Sequence, residues 1–329
     1  MKSWQFTETH KPLQFVELPD PVAKPGHVVI DVKACGLCHS DVSALEHESW
    51  LRLLQHTPIV LGHEFAGVVS EVGEGVTKFK VGDRVGCCPM LGPDGTGPGY
   101  GRDGGYSTKS TAHEDMLVRV PDNISFAQAA AGTDAGMTSY HAMMVAGIKP
   151  GMKVGLIGIG GLGQIATRIA VVTGCEVYCA SRTEKNRQAA LALGATEVAE
   201  NILAFRKKKL DAIVDFAGAG VTTTDAMKAV KFRGKVVVVG MVEDYANIDT
   251  MLLITKQMSL EGSNGGTVDD IAACYQLMAE GKLDPALMEI PLEHVMDGLE
   301  MLKAGTNPKR FVAVTKDEKH PENYPKWEF

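Results

Sequence analysis

The chain has 329 residues, 45% of them hydrophobic, with a formal net charge of −7 and a pI near 5.8. That length exceeds one typical domain and supplies apolar surface for two cores, while the acidic balance argues against a nucleic-acid footprint: the one basic cluster, Arg206-Lys207-Lys208-Lys209, is short and lacks interleaved aromatics. No apolar run approaches a membrane span and Met1 to Asp20 is too polar for a signal peptide, so neither a membrane nor a nucleic acid is expected as a partner, and a cytoplasmic setting is.

In chain order, the first 130 or so residues are rich in Gly, Pro and short β-type runs, which predicts a partly antiparallel β domain. Its strands are expected at 27–33, 66–72 and 81–85. From about Thr138 helix and strand alternate: strands at 153–158, 175–180, 210–216 and 234–240 are separated by helix-like segments at 164–172, 184–193 and 223–230. That alternation predicts an α/β, doubly wound parallel sheet. Helices at 268–280 and 293–304 and a last strand at 310–314 follow. There is no internal repeat and no low-complexity segment.

Gly158-Ile159-Gly160-Gly161-Leu162-Gly163 stands between the strand and the helix at 164–172. In that context the glycines of a GxGxxG run each serve a purpose, permitting a tight turn, backbone approach to a pyrophosphate, and close helix–strand packing, with the phosphates on the helix N-terminus. A dinucleotide is therefore expected on Gly158, Gly160, Gly161, Leu162 and Gly163. An NAD binder places an acidic residue at the end of the next strand, against the ribose 2′-hydroxyl. Ser181 and Arg182 stand there instead, with Lys185 nearby. A hydroxyl and two cations suit a 2′-phosphate, so the expected cofactor is NADP(H).

Seven cysteines, an odd number in a chain without an export signal, point to thiol or metal chemistry more than to a disulfide framework. Cys35-x-x-Cys38-His39 has the form of a haem attachment sequence, but that chemistry needs export; a thioredoxin-like pair needs a βαβ context absent here. Metal ligation by Cys38 and His63, the latter next to Glu64, is the better reading, and beside a nicotinamide cofactor it suggests zinc.

Taken together, Cys35-Gly-Leu-Cys-His-Ser-Asp41, Gly62-His-Glu64, Val81-Gly-Asp-Arg-Val85, Asp103-Gly-Gly-Tyr106, Ala135-Gly-Met-Thr-Ser-Tyr140 and the glycine fingerprint resemble the medium-chain, zinc-dependent alcohol dehydrogenase family over nearly the whole chain. The resemblance implies a mainly β, GroES-like catalytic domain built from both chain ends, residues 1–136 and 264–329, around a Rossmann coenzyme domain at 137–263, with the active site in the cleft between them. It further implies Cys38 and His63 as zinc ligands, Glu64 as a carboxylate able to approach the metal, Asp41 as the partner that orients His63, and Ser40 as the group that passes the substrate proton. Thr138 would lie near the nicotinamide, and His39 and Arg310 against the pyrophosphate. A homodimer or homotetramer is implied, dimerising through an edge strand near Met258–Ser263.

Three positions depart from the family pattern. Asp134 replaces the usual third cysteine ligand, before Ala-Gly-x-Thr; aspartate ligates zinc and keeps the ligand charge of a Cys₂His site. The other reading is a site that has lost its zinc. In the segment from Gly86 to Gly101 only the pair Cys87 and Cys88 remains of a four-cysteine structural site, so one catalytic zinc and no structural zinc is expected. Ser43 replaces a relay histidine, for which ribose hydroxyls, water or His47 would have to substitute. Trp50, Leu54 and Met90 are candidate pocket-lining residues.

The favoured reading is an oxidoreductase that transfers hydride between NADP(H) and an alcohol/aldehyde or ketone pair, an NADP-dependent alcohol dehydrogenase or carbonyl reductase. The alternatives are a zinc-independent NADPH reductase of an activated C=C or iminium bond, and a non-enzymic NADPH-binding protein.

Overall fold

The computed structural model describes residues 1–305, 309–316 and 324–326. These fall into two units: Met1–Asp134 with the described residues from Thr267 on, and Ala135–Gly266. The junctions at 134/135 and 266/267 compare with the 136/137 and 263/264 implied by the family resemblance.

The first unit opens with β1 (Lys2–Phe6), β2 (Gln14–Glu17), β3 (His27–Gly36), α1 (His39–Glu46), β4 (Ile59–Val60), β5 (Glu64–Val72), β6 (Arg84–Cys87), β7 (Lys109–His113), β8 (Leu117–Arg119) and α2 (Phe126–Ala131). The strand expected at 81–85 begins later because Gly82, at φ +92°, turns the chain and the Asp83 N–H closes back on Lys80 O. Strand β3 is long because His27-Val-Val-Ile-Asp-Val-Lys-Ala-Cys-Gly36 is β-branched and mostly buried, so it serves as the hub of its sheet. It pairs antiparallel with β5 on one side, and β7 adds to it at its N-terminal half.

The second unit contains α3 (Met137–Val145), β9 (Lys153–Ile157), α4 (Gly161–Val172), β10 (Glu176–Ala180), α5 (Glu184–Ala192), β11 (Glu197–Ala199), β12 (Leu210–Asp215), α6 (Val221–Ala229), β13 (Val230–Val238), α7 (Thr250–Lys256) and β14 (Ser259–Gly262). Its six strands are all parallel, in the order β11-β10-β9-β12-β13-β14. Numbered within the unit this is 3-2-1-4-5-6, the Rossmann order, with its switch point between β9 and β12. Helix α4 buries Ile165 with Ile169 and Ala166 with Ala170, one turn apart on a single face.

The chain then returns to the first unit through α8 (Val268–Ala279), β15 (Leu287–Pro291), α9 (Val295–Ala304) and β16 (Arg310–Val314). The helix expected from 293 starts with a 3₁₀ turn at Leu292–His294. Strand β16 runs antiparallel to β3, with Val312 opposite Gly36 and Val314 opposite Ala34. Since β3 also places Gly36 opposite Glu64, three distant stretches, 36–38, 63–64 and 310–312, come together at the same end of three neighbouring strands.

Between β9 and α4 the glycine turn is tightly closed. Gly158 has φ +83°, and a Cβ at Gly163 would stand 2.1 Å from Gly158 O, a backbone atom with nowhere to go. We therefore expect Gly163→Ala to destabilise the protein by about 1–3 kcal/mol through overpacking, read as a lower urea midpoint; an unchanged midpoint would contradict this packing.

Candidate active site

Cys38 has an extended backbone (φ −117°, ψ 151°) and stands immediately before α1. Asp41, in the first turn, reaches back so that its Oδ2 accepts the Cys38 N–H at 3.1 Å, which satisfies an N-terminal donor and fixes the turn that carries the thiol. His63 precedes β5 and is 4% exposed. Its Nδ1 lies 3.5 Å from Asp41 Oδ1 and its Nε2 lies 3.5 Å from Asp134 Oδ2. Asp134 sits on a π-helical turn, Gly132–Gly136, that follows α2. Such wide turns redirect a side chain within a helix and recur at functional sites.

Cys38, His63 and Asp134 each offer one ligand atom, and these atoms lie within 4.8 Å of one another. Thiolate, imidazole and carboxylate are the donor types of a catalytic zinc site, and ligand atoms about 2.0–2.3 Å from a tetrahedral ion stand roughly 3.4–3.7 Å apart. The 3.5 Å between His63 Nε2 and Asp134 Oδ2 matches that edge. The electrostatics agree with the geometry. Burial alone would lower the His63 ring, yet Tyr100, Asp41 and Asp134 push it well above the ordinary imidazole value, so the pocket favours positive charge at this point. The residues fit a zinc ion.

Glu64, expected to approach the metal, and Arg310, expected on the pyrophosphate, are paired with each other in this structure. Arg310 Nε donates to Glu64 Oε1 at 2.7 Å and Oε2 at 2.9 Å, and its Nη2 donates to Glu64 Oε2 as well. The same Nη2 donates to Asp134 Oδ2 at 3.2 Å. The physical reason is burial: Glu64 is fully buried and Arg310 is 8% exposed, and neither charge is tolerable there alone. Burial pushes the Glu64 carboxyl up to about 7, against the pull of Arg310.

Ser40 Oγ is buried and makes no hydrogen bond among the described residues, the Tyr100 phenol being the group that approaches it. Tyr100 also stacks obliquely on His63, ring centroids 5.4 Å apart. Its position in the loop rich in Gly and Pro carried no signal. His39 opens α1 and is exposed, as is His47. Trp50 and Leu54 are partly buried against the core of the first unit, and Met90 is also partly buried. Cys87 and Cys88 are both buried, and burial pushes the Cys88 thiol up to about 12. The loop that follows them is tied by Arg102, which donates to Thr96 O, Thr111 O and Cys87 Sγ.

In the second unit, α4 has no side-chain cap, which leaves its first N–H groups for an outside acceptor, and a Cβ on its N-cap residue Gly160 would meet nothing within 4 Å. A pyrophosphate fits such a turn. Ser181 is 9% exposed at the end of β10, whereas Arg182 and Lys185 are exposed and form no ion pair among the described residues. Arg187 braces this turn, its Nη1 donating to Ser181 O at 2.7 Å and Arg182 O at 3.0 Å. Thr138 is 7% exposed in α3.

Comparison with known proteins places these arrangements in a family. Residues 24–122 match the alcohol dehydrogenase GroES-like domain and residues 161–280 the zinc-binding dehydrogenase domain. The chain is 34% identical to an alcohol dehydrogenase of Geobacillus stearothermophilus, over 95% of this chain and all of that one. It is 29% identical to the NADP-dependent alcohol dehydrogenase C 1 of Mycolicibacterium smegmatis, over 96% of this chain and 98% of that one. Among solved structures, acetophenone reductase from Geotrichum candidum in complex with NAD superposes with a TM-score of 0.88 at 29% identity, covering 95% of this chain and 96% of that one. The chain belongs to the medium-chain, zinc-type alcohol dehydrogenase family. It is an oxidoreductase of the alcohol dehydrogenase kind.

Removal of one partner of a buried ion pair costs about 3–5 kcal/mol, because the other charge is stranded. Arg310→Met is expected to destabilise the protein by that amount in urea unfolding, and the double variant Glu64→Gln, Arg310→Met to recover a good part of it. A single variant within about 1 kcal/mol of the parent would contradict a charged pair.

Proposed function

We propose that this alcohol dehydrogenase is zinc-dependent and uses NADP(H), interconverting an alcohol with its aldehyde or ketone. The observation that carries the zinc half is the convergence of Cys38, His63 and Asp134 within 4.8 Å. A bound zinc supplies Lewis acidity, lowering the pKa of an alcohol or polarising a carbonyl. Cys38, His63 and Asp134 hold the ion, while Asp41 keeps the His63 ring in place from its far nitrogen. Ser40, whose hydroxyl has no hydrogen bond among the described residues, takes and returns the proton of the substrate oxygen. Arg310 balances Glu64 and Asp134.

For the cofactor, the free N–H groups at the start of α4 take the pyrophosphate, with Gly158, Gly160, Gly161, Leu162 and Gly163 shaping the turn. Ser181, Arg182 and Lys185 take the 2′-phosphate, and Thr138 and His39 complete the cofactor contacts. Two exposed cations, Arg182 just after β10 and Lys185 in the first turn of α5, support NADP(H) over NAD, as does the 29% identity to an NADP-dependent relative. Among the described residues no helix is long and apolar enough to cross a membrane; we place the enzyme in the cytoplasm. Strand β14 ends the six-stranded sheet, and a homodimer or homotetramer pairing through that edge is our reading of the assembly.

Protein purified without chelator is expected to carry one zinc per chain by metal analysis. Carbonyl-dependent NADPH oxidation should disappear in Cys38→Ala. Activity that survives in the double variant Cys38→Ala, His63→Ala would instead point to metal-independent reduction of an activated double bond. The parent should prefer NADPH to NADH, and Arg182→Asp should abolish or reverse that preference; equal use of both cofactors by the parent would remove the argument from Ser181 and Arg182.

A further inference from the structure

Tyr106 is fully buried and bridges the turn that carries Cys38 and the loop that carries His63. Its hydroxyl donates to Asp41 Oδ2 at 2.7 Å and lies 3.3 Å from Gly36 O. The same Oδ2 accepts the Cys38 N–H at 3.1 Å. With two donors on Oδ2, the carboxylate is held so that Oδ1 faces His63 Nδ1, 3.5 Å away. That nitrogen is buried and has no hydrogen bond of ordinary geometry among the described residues, which makes Asp41 Oδ1 its waiting acceptor.

The other end of Tyr106 is fixed to the His63 loop. Its backbone N–H donates to Leu61 O at 3.1 Å, and the Gly105 N–H donates to Gly62 O. Gly62 has φ +90°, and a Cβ there would come within 2.6 Å of the Tyr106 ring. The ring therefore lies flush against the residue before His63 while the hydroxyl reaches the helix turn that carries Cys38.

We infer that Tyr106 is a positioning residue of the metal centre: its hydroxyl fixes the Asp41 carboxylate, which in turn fixes the tautomer and orientation of His63. The inference rests on the zinc reading above. A phenylalanine at 106 keeps the ring packed on Gly62 and removes only the hydroxyl, so Asp41 retains one donor on Oδ2 and gains freedom to turn away from His63. Groups that act on a metal ligand through its outer hydrogen bonds typically change metal affinity by about 10–100-fold.

The test is zinc affinity, measured by competition with a chelator on the metal-free full chain, for the parent, Tyr106→Phe, Asp41→Asn and the double variant. Urea midpoints of the metal-free forms separate affinity from folding. Tyr106→Phe is expected to bind zinc about tenfold or more weakly, Asp41→Asn at least as weakly, and the double variant no more weakly than Asp41→Asn, because both changes break one chain of contacts. Parent affinity in Tyr106→Phe, or losses that multiply in the double variant, would overturn the role of Tyr106 and leave the zinc reading standing. A parent that takes up no zinc would overturn both.

Discussion

Asp41, Glu64 and Asp134 bring three carboxylates around His63, and the first two are 3% and 0% exposed. Carboxylates crowded away from water either take up protons or find positive charge. Arg310 supplies a permanent one to two of them, forking onto Glu64 and reaching Asp134 with the same terminal nitrogen. Asp41 and Asp134, on opposite sides of one imidazole, make this a place where a proton on His63 or a metal cation beside it lowers the energy. The centre is thus organised by an excess of buried negative charge, and its side chains are arranged around that excess.

The sheet is what makes such crowding reproducible. Strand β3 pairs with β5 so that Gly36 faces Glu64, and with β16 so that Gly36 faces Val312. Residues 246 positions apart in the chain, Glu64 and Arg310, therefore meet as a consequence of backbone register. A one-residue slip in either pairing would turn those side chains to the other face of the sheet, and the charge balance would fail with it. Fold specificity and site chemistry are here the same constraint.

Much of this was legible in the sequence, for reasons that differ by element. The parallel sheet declared itself because its strands are buried on both faces and read as continuous apolar runs such as Val154 to Ile157 and Ala212 to Val214. The glycine turn was legible because glycine is demanded there by contact, as at Gly163. The edge strand β11 was not, being three partly buried residues without a pattern. Helix α1 was also missed: it is eight residues long, and tertiary contacts and the Asp41 cap sustain it more than propensity does. The pairing of Glu64 with Arg310 and the contact of Tyr106 with Asp41 join residues far apart in sequence. Local spacing carries no information about either, so their roles appear only once the strands are in register.

Asp134 shows how a departure at one position can be absorbed by another. A cysteine there would offer a single soft sulfur, a poor acceptor for a guanidinium. An aspartate offers an oxygen that takes a charge-assisted hydrogen bond from Arg310 at 3.2 Å while lying 3.5 Å from His63 Nε2. Its carboxylate is therefore oriented by the protein before any metal arrives, through a cation already anchored by Glu64. Asp134 stands on the wide turn at Gly132–Gly136, a kind of turn that redirects side chains at functional sites. On the zinc reading, the harder oxygen donates less charge than a thiolate and leaves the ion more electrophilic. Arg310 strengthens that tendency, because it withdraws charge from the same oxygen that would bind.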